Sequence, residues 1–146
     1  MKNRAIILFI ALLAGIIAFY SCTKEDRDNT LDLLLNNTWV YDSLAVSDPE
    51  NSMLMIAATF THLGFKGNEY DFSSDGNYTV KSDMLNEGGI WELSENKLIM
   101  DKGTEDEMEL EILAINSSIV EFKLPMEGEI FSVPFSGYVI LKFQTK

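Results

Sequence analysis

The stretch Glu69-Tyr70-Asp71-Phe72-Ser73-Ser74-Asp75-Gly76-Asn77-Tyr78-Thr79-Val80 decides the fold class. Tyr70 and Phe72 alternate with acids before Ser73, and Tyr78 and Val80 alternate with polar residues after Gly76. A period of two sends successive side chains to opposite faces of a strand. Between the two runs, Asp75-Gly76 accepts the left-handed backbone that a tight hairpin turn requires. The segment reads as a β-hairpin, aromatic on one face and polar on the other.

The pattern continues toward the C-terminus. Ile90-Trp91-Glu92-Leu93 and Lys97-Leu98-Ile99-Met100 flank Ser94-Glu95-Asn96 as a second hairpin. Met108, Leu110 and Ile112 alternate with Glu107, Glu109 and Glu111, the mark of a half-buried strand. Asn116-Ser117 turns that strand into Val120, Phe122 and Leu124, which alternate with Glu121 and Lys123. Pro125 and Pro134 bracket a stretch without a clear period, and residues 138–143 (YVILKF) read as the last strand. Toward the N-terminus, Trp39-Val40-Tyr41 begins the first strand. Residues 30–36 (TLDLLLN) suit a short helical turn, with Asn29 or Thr30 as N-cap. About eight strands at roughly ten-residue spacing, joined as sequential hairpins, close most easily as an up-and-down antiparallel barrel. The expectation is an all-β domain over residues 30–146.

One segment breaks the period of two. Asp48 as N-cap, Pro49 in the first position, Glu50 in the first turn and Gly64 as a stop predict a helix over 49–63, between the first and second strands. Met53, Ile56, Ala57, Phe60 and Leu63 follow helical spacing, while Leu54, Met55 and Ala58 lie on other faces. A helix apolar nearly all round must dock against something. It is either a plug that completes the core or a lid over a ligand cavity, with Met53 and Met55 as adaptable packing.

The first 21 residues have a different character. Lys2 and Arg4 precede an unbroken apolar run, residues 5–20, and Ser21-Cys22 follows. A cationic start, an apolar core and a small residue make a secretory signal, and the run is shorter than a membrane span needs. Removing it leaves one domain's worth of chain, with nine Lys/Arg against 23 Asp/Glu, a net charge of −14. Cys22 is the only cysteine, so no disulfide can form within the chain. Its position, directly after the apolar core, resembles the lipobox of bacterial lipoproteins, in which that cysteine carries a diacylglyceryl group. Two or three acyl chains hold a protein on a membrane essentially permanently. Residues 23–29 contain no apolar side chain, so 22–29 is expected to be a polar tether. Within it, Lys24-Glu25-Asp26 resembles the signal that sends lipoproteins of the Bacteroidota to the cell surface. The expected address is the outer membrane, lipid-anchored and surface-exposed, with its periplasmic face as the alternative.

Charge and composition exclude several function classes. Nucleic-acid sites need clustered Lys/Arg, which a −14 domain does not offer. One histidine, His62, and one cysteine cannot build a His-rich metal site. Gly64-Phe65-Lys66-Gly67 lacks the spacing and setting of a phosphate loop. Residues 71–76 begin like a calcium loop, but the twelfth position is Ser82 where a bidentate Glu belongs. Glu105, Asp106, Glu107, Glu109 and Glu111 form the densest acidic run. Paired carboxylates can cleave glycosidic bonds across a cleft, yet the alternation puts Glu107, Glu109 and Glu111 on the face opposite Met108, Leu110 and Ile112. They read as a solvated outer face. No catalytic residue, metal or cofactor is expected.

Several motifs together carry a family resemblance. Leu34-Leu35-Asn36-Asn37-Thr38-Trp39, the Phe72 to Tyr78 hairpin (Phe-x-x-Asp-Gly-x-Tyr) and Gly89-Ile90-Trp91-Glu92-Leu93 with its polar turn and apolar strand to Met100 resemble the lipocalin-like domains of Bacteroidota lipoproteins. The chain departs from that pattern in having Asn-Asn-Thr before Trp39 and a larger helix than a simple barrel needs. The resemblance implies an eight-stranded barrel and capture of a small apolar molecule. Trp39, Met53, Ile56, Phe60, Tyr78, Trp91, Met100 and Phe122 are the residues expected to line its site. The alternative is a non-enzymatic surface interaction or structural module whose barrel is filled by side chains, since an eight-stranded interior is just wide enough for either.

Overall fold

Alternation in eight segments becomes eight antiparallel strands in the computed structural model, which describes residues 29–83 and 86–146. They are β1 (Thr38–Val46), β2 (Glu69–Phe72), β3 (Asn77–Lys81), β4 (Asn86–Ser94), β5 (Lys97–Met100), β6 (Met108–Ile115), β7 (Ile119–Ile130) and β8 (Val133–Thr145). Each pairs with the next, and β8 returns to β1 with Tyr41 opposite Phe143 and Val46 opposite Val139. The result is a closed up-and-down barrel, in which closure leaves no free sheet edge along the paired rows. The short helical start is α1 (29–35), and the one helix within the strand order is α2 (Ser52–Phe65), between β1 and β2. The expected signal segment 1–21, Cys22 and the tether up to residue 28 lie outside the described residues.

Strand direction sorts these parts onto two ends. α1 and the β2–β3, β4–β5 and β6–β7 turns lie at one end. α2, the β5–β6 loop and the β7–β8 hairpin lie at the other. The expected Asp75-Gly76 turn is present: Gly76 has φ +82° and Asp75 Oδ1 accepts the Asn77 N–H at 3.0 Å.

Two local expectations are corrected. The helix begins at Ser52, not 49, because Asn51 is its N-cap and accepts the Leu54 N–H at 3.1 Å. Asp48 caps the preceding turn through the Glu50 N–H at 3.1 Å, and Pro49 sits in that turn. Gly64 does not stop the helix either. α2 runs one residue further, to Phe65, and closes through Lys66 N–H to the His62 carbonyl.

The stretch from Pro125 to Pro134, without a period in the sequence, is strand. β7 and β8 stay paired from Ile119 opposite Gln144 to Ile130 opposite Val133. Both prolines lie where the hairpin outruns its neighbours, since β6 pairs β7 no further than Lys123 and β1 pairs β8 no further than Val139. A nitrogen without N–H is tolerated on such an unpaired edge.

Inside, one continuous buried cluster draws on every strand: Trp39 and Tyr41, Tyr70 and Phe72, Tyr78, Trp91, Leu98, Leu110, Phe122 and Phe143 among others. Leu34 of α1 is fully buried and closes one end, its carbonyl accepting the Trp39 indole N–H at 3.4 Å.

Candidate functional site

Five of the residues expected to line a ligand site do point into the barrel. Trp39, Tyr78, Trp91, Met100 and Phe122 are all at most 8% exposed. They meet one another and their neighbours. Near the α1 end, the Phe72 ring lies 5.2 Å from Trp91 and 6.2 Å from Tyr78. Toward the α2 end, Phe143 packs edge-on against Tyr41, Tyr70 and Phe122 at 5.5–5.6 Å. Such edge-to-face pairs are favoured by the ring quadrupole.

The ring that joins α2 to this stack is Phe65, which the sequence reading placed beyond the helix. It lies 5.8–6.0 Å from Tyr41, Tyr70 and Phe143. Leu54, Ala57 and Ala58 bury the rest of the docking face, and Leu54 reaches β8 at Gly137, where a Cβ would come within 2.6 Å of it. Of the three α2 residues expected in the site, Met53 and Ile56 are half-buried. Phe60 is 69% exposed on the outward side. The helix does dock, as its apolar composition demands, but through one face only.

The inward polar groups are mutually satisfied. Tyr78 donates to Asp101 Oδ2 at 2.5 Å, and Asp101 Oδ1 accepts the Ile90 N–H at 3.3 Å. Burial first, and then this bond to a carboxylate, push the Tyr78 hydroxyl well above the ordinary tyrosine range. Asn68, buried and unnoticed in the sequence, donates to the Gly64 carbonyl at 3.0 Å and to the Tyr70 hydroxyl at 3.3 Å. Its backbone carbonyl takes the Tyr41 N–H, so it ties the end of α2 to both β1 and β2. Burial raises the Tyr70 hydroxyl, against the opposing pull of the Asn68 bond. His62 pairs with the Tyr41 hydroxyl at 2.8 Å. Among the described residues, no buried side-chain nitrogen or oxygen lacks a hydrogen bond.

At the α2 end an open depression of about 390 Å³ is lined by Lys66, Gly67, Glu69, Lys81, Ser82 and Asp83. Glu69 is paired with Lys146 and Lys81 with Asp71, so two of its charges are already committed. The acidic run behaves as its alternation implies. Glu109 and Glu111 stand on the outer face in cross-strand ion pairs with Lys97 and Lys123 at 2.8 and 3.0 Å, while Leu110 between them is buried. The chain matches no protein-family model and no curated protein.

Proposed function

We propose that the protein is a lipid-anchored, non-enzymatic interaction module: a filled lipocalin-like barrel held on the outer membrane through Cys22, facing the cell exterior. The observation that carries this reading is the ring stack. All eight strands and both helices contribute to one buried cluster. The side chains that would line a ligand site in a hollow barrel spend their apolar surface on one another. A filled barrel is a rigid platform, so recognition falls to its outer surface. The signal-like residues 1–21, the position of Cys22 and the polar tether support the anchored address.

Two measurements test the proposal. Titration with a fluorescent fatty acid should give no saturable binding and no quenching of tryptophan emission. Saturable binding that quenches Trp39 or Trp91 would return the chain to the small-ligand reading. Replacement of Cys22 by Ser should move the protein from the membrane fraction to the soluble one, and an unchanged partition would end the anchored reading.

A further inference from the structure

Helix α2 buries one apolar stripe and displays a second. Phe60 and Leu63 are 69% and 60% exposed, with Met53 and Ile56 half-buried in line with them. Steps of three and four residues place all four on one helix face. The β7–β8 hairpin at the same end adds Val133, 44% exposed, and Phe131, 88% exposed at the tip. Phe131 and Ser132 hold φ of +53° and +63°, a backbone uncommon for a bulky side chain. Large aromatic and aliphatic groups left in water at one end of a small domain mark an interaction surface.

We propose that this end docks a partner polypeptide segment that is amphipathic and basic. Its apolar side chains meet Phe60, Leu63 and Phe131, and its Lys/Arg side chains meet the acids around them. The charge pattern selects that partner. α2 itself carries no acid and exposed Lys66 caps its end, but exposed Asp48 and Glu50 precede it and exposed Glu127 and Glu129 stand on the hairpin, so acids outnumber the cation. A second copy would bring like charges together on two chains of net −12.

Chain geometry argues against the membrane as the occupant, a step that rests on the anchored reading. The described chain starts with α1, at the end opposite α2. Six residues lie between Cys22 and residue 29, seven backbone steps with a reach of at most about 25 Å. On that reading the lipid-bearing end of the chain enters the domain at the end opposite α2.

The test uses the full chain as purified from cells. A fluorescein-labelled peptide of Leu and Lys at amphipathic helical spacing is the probe, and its Leu-to-Gln analogue is the control. Both are titrated against wild type and against the triple variant Phe60→Gln, Leu63→Gln, Phe131→Ser. All three sites are exposed, so the fold should persist, with thermal melts as the check. The Leu/Lys probe should bind wild type about tenfold or more tighter than the variant, and the Gln/Lys control should bind the two alike. Equal affinity of the Leu/Lys probe for both proteins overturns the proposal. So does wild-type self-association in sedimentation that the variant abolishes, which makes a second copy the occupant. Phosphatidylcholine vesicles that bind wild type but not the variant would make lipid the occupant and overturn it too. Mass spectrometry of Cys22 in the same preparation judges the anchored reading separately: an unacylated cysteine ends that reading, while the peptide titration alone decides the docking surface.

Discussion

Gly89 shows how one residue type is dictated by a contact far away in the chain. A Cβ at that position would overlap Asp101 Oδ1 and crowd the Tyr78 ring. Asp101 itself holds φ +54°, and its carboxylate locks Tyr78 on one side and the Ile90 N–H on the other. Gly89→Ala should therefore overpack the site and unseat a buried hydrogen bond, a loss of at least about 2 kcal/mol in urea denaturation. Tyr78 also sets a pH dependence. Its folded-state pKa is raised, so the folded chain holds this proton where the unfolded chain, titrating near about 10, releases it. The linked stability is complete below the unfolded value and is lost as pH rises above it. Tyr70 and Tyr41 shift in the same direction, each chiefly through burial. The urea midpoint should fall between about pH 9 and about pH 11, and the fall should be shallower in Tyr78→Phe.

At the scale of the element, α2 separates what its composition says from what its docking says. Its apolar residues lie on more faces than one neighbour can cover, so spacing alone could not choose between the stripe through Met53 and Phe60 and the stripe through Leu54 and Phe65. The choice follows from Asn68 and Phe65, which fix how the helix returns to β2. The plug reading and the side-chain packing make opposite demands on two phenylalanines. Phe65→Ala removes a ring from the stack and should cost about 3–5 kcal/mol. Phe60→Ser, on the outward face, should stay within about 0.5 kcal/mol of wild type. Urea melts of the two variants decide the matter, and a larger loss for Phe60→Ser than for Phe65→Ala would mean the helix docks the other way round. The first strand carries a similar lesson. Its pairing with β8 shifts register between Tyr41 and Ser43, so Leu44 and Val46 turn inward after Trp39 and Tyr41. That bulge puts Leu44 and Val46 out of phase with Trp39 and Tyr41, so the sequence shows where the strand begins and not where it ends.

Over the whole molecule, charge opposes the fold while the core sustains it. Among the described residues six ion pairs decorate the outer face, four of them between neighbouring strands and all between substantially exposed partners, and such pairs contribute little. Self-repulsion from the acid excess remains. Raising sodium chloride should therefore increase stability, seen as a higher melting temperature, because screening weakens the repulsion more than it weakens the pairs. A melting temperature that falls with salt would show that the ion pairs dominate. Trp39 and Trp91 are 1% and 8% exposed, so tryptophan emission should be blue-shifted and resist acrylamide. Emission like that of free indole in water would contradict the filled barrel.

What the sequence determined alone is the part that repeats locally. Alternation around Tyr70, Phe72, Tyr78, Trp91, Leu110 and Phe122 named the inner face of the strands, Asp75-Gly76 named a turn, and uninterrupted hairpins implied closure, because a period of two is a property of neighbouring residues. Tertiary structure alone decided the rest. Whether eight inner faces leave a hollow or fill it depends on ring-to-ring distances between residues dozens of positions apart. Which side of α2 stays dry depends on Leu54 meeting Gly137 and Phe65 meeting Phe143. Pro125 and Pro134 sit in strand because the neighbouring strands stop short of them. Each of these is a contact between distant segments, and the local pattern of a chain carries no record of which distant surface it will meet.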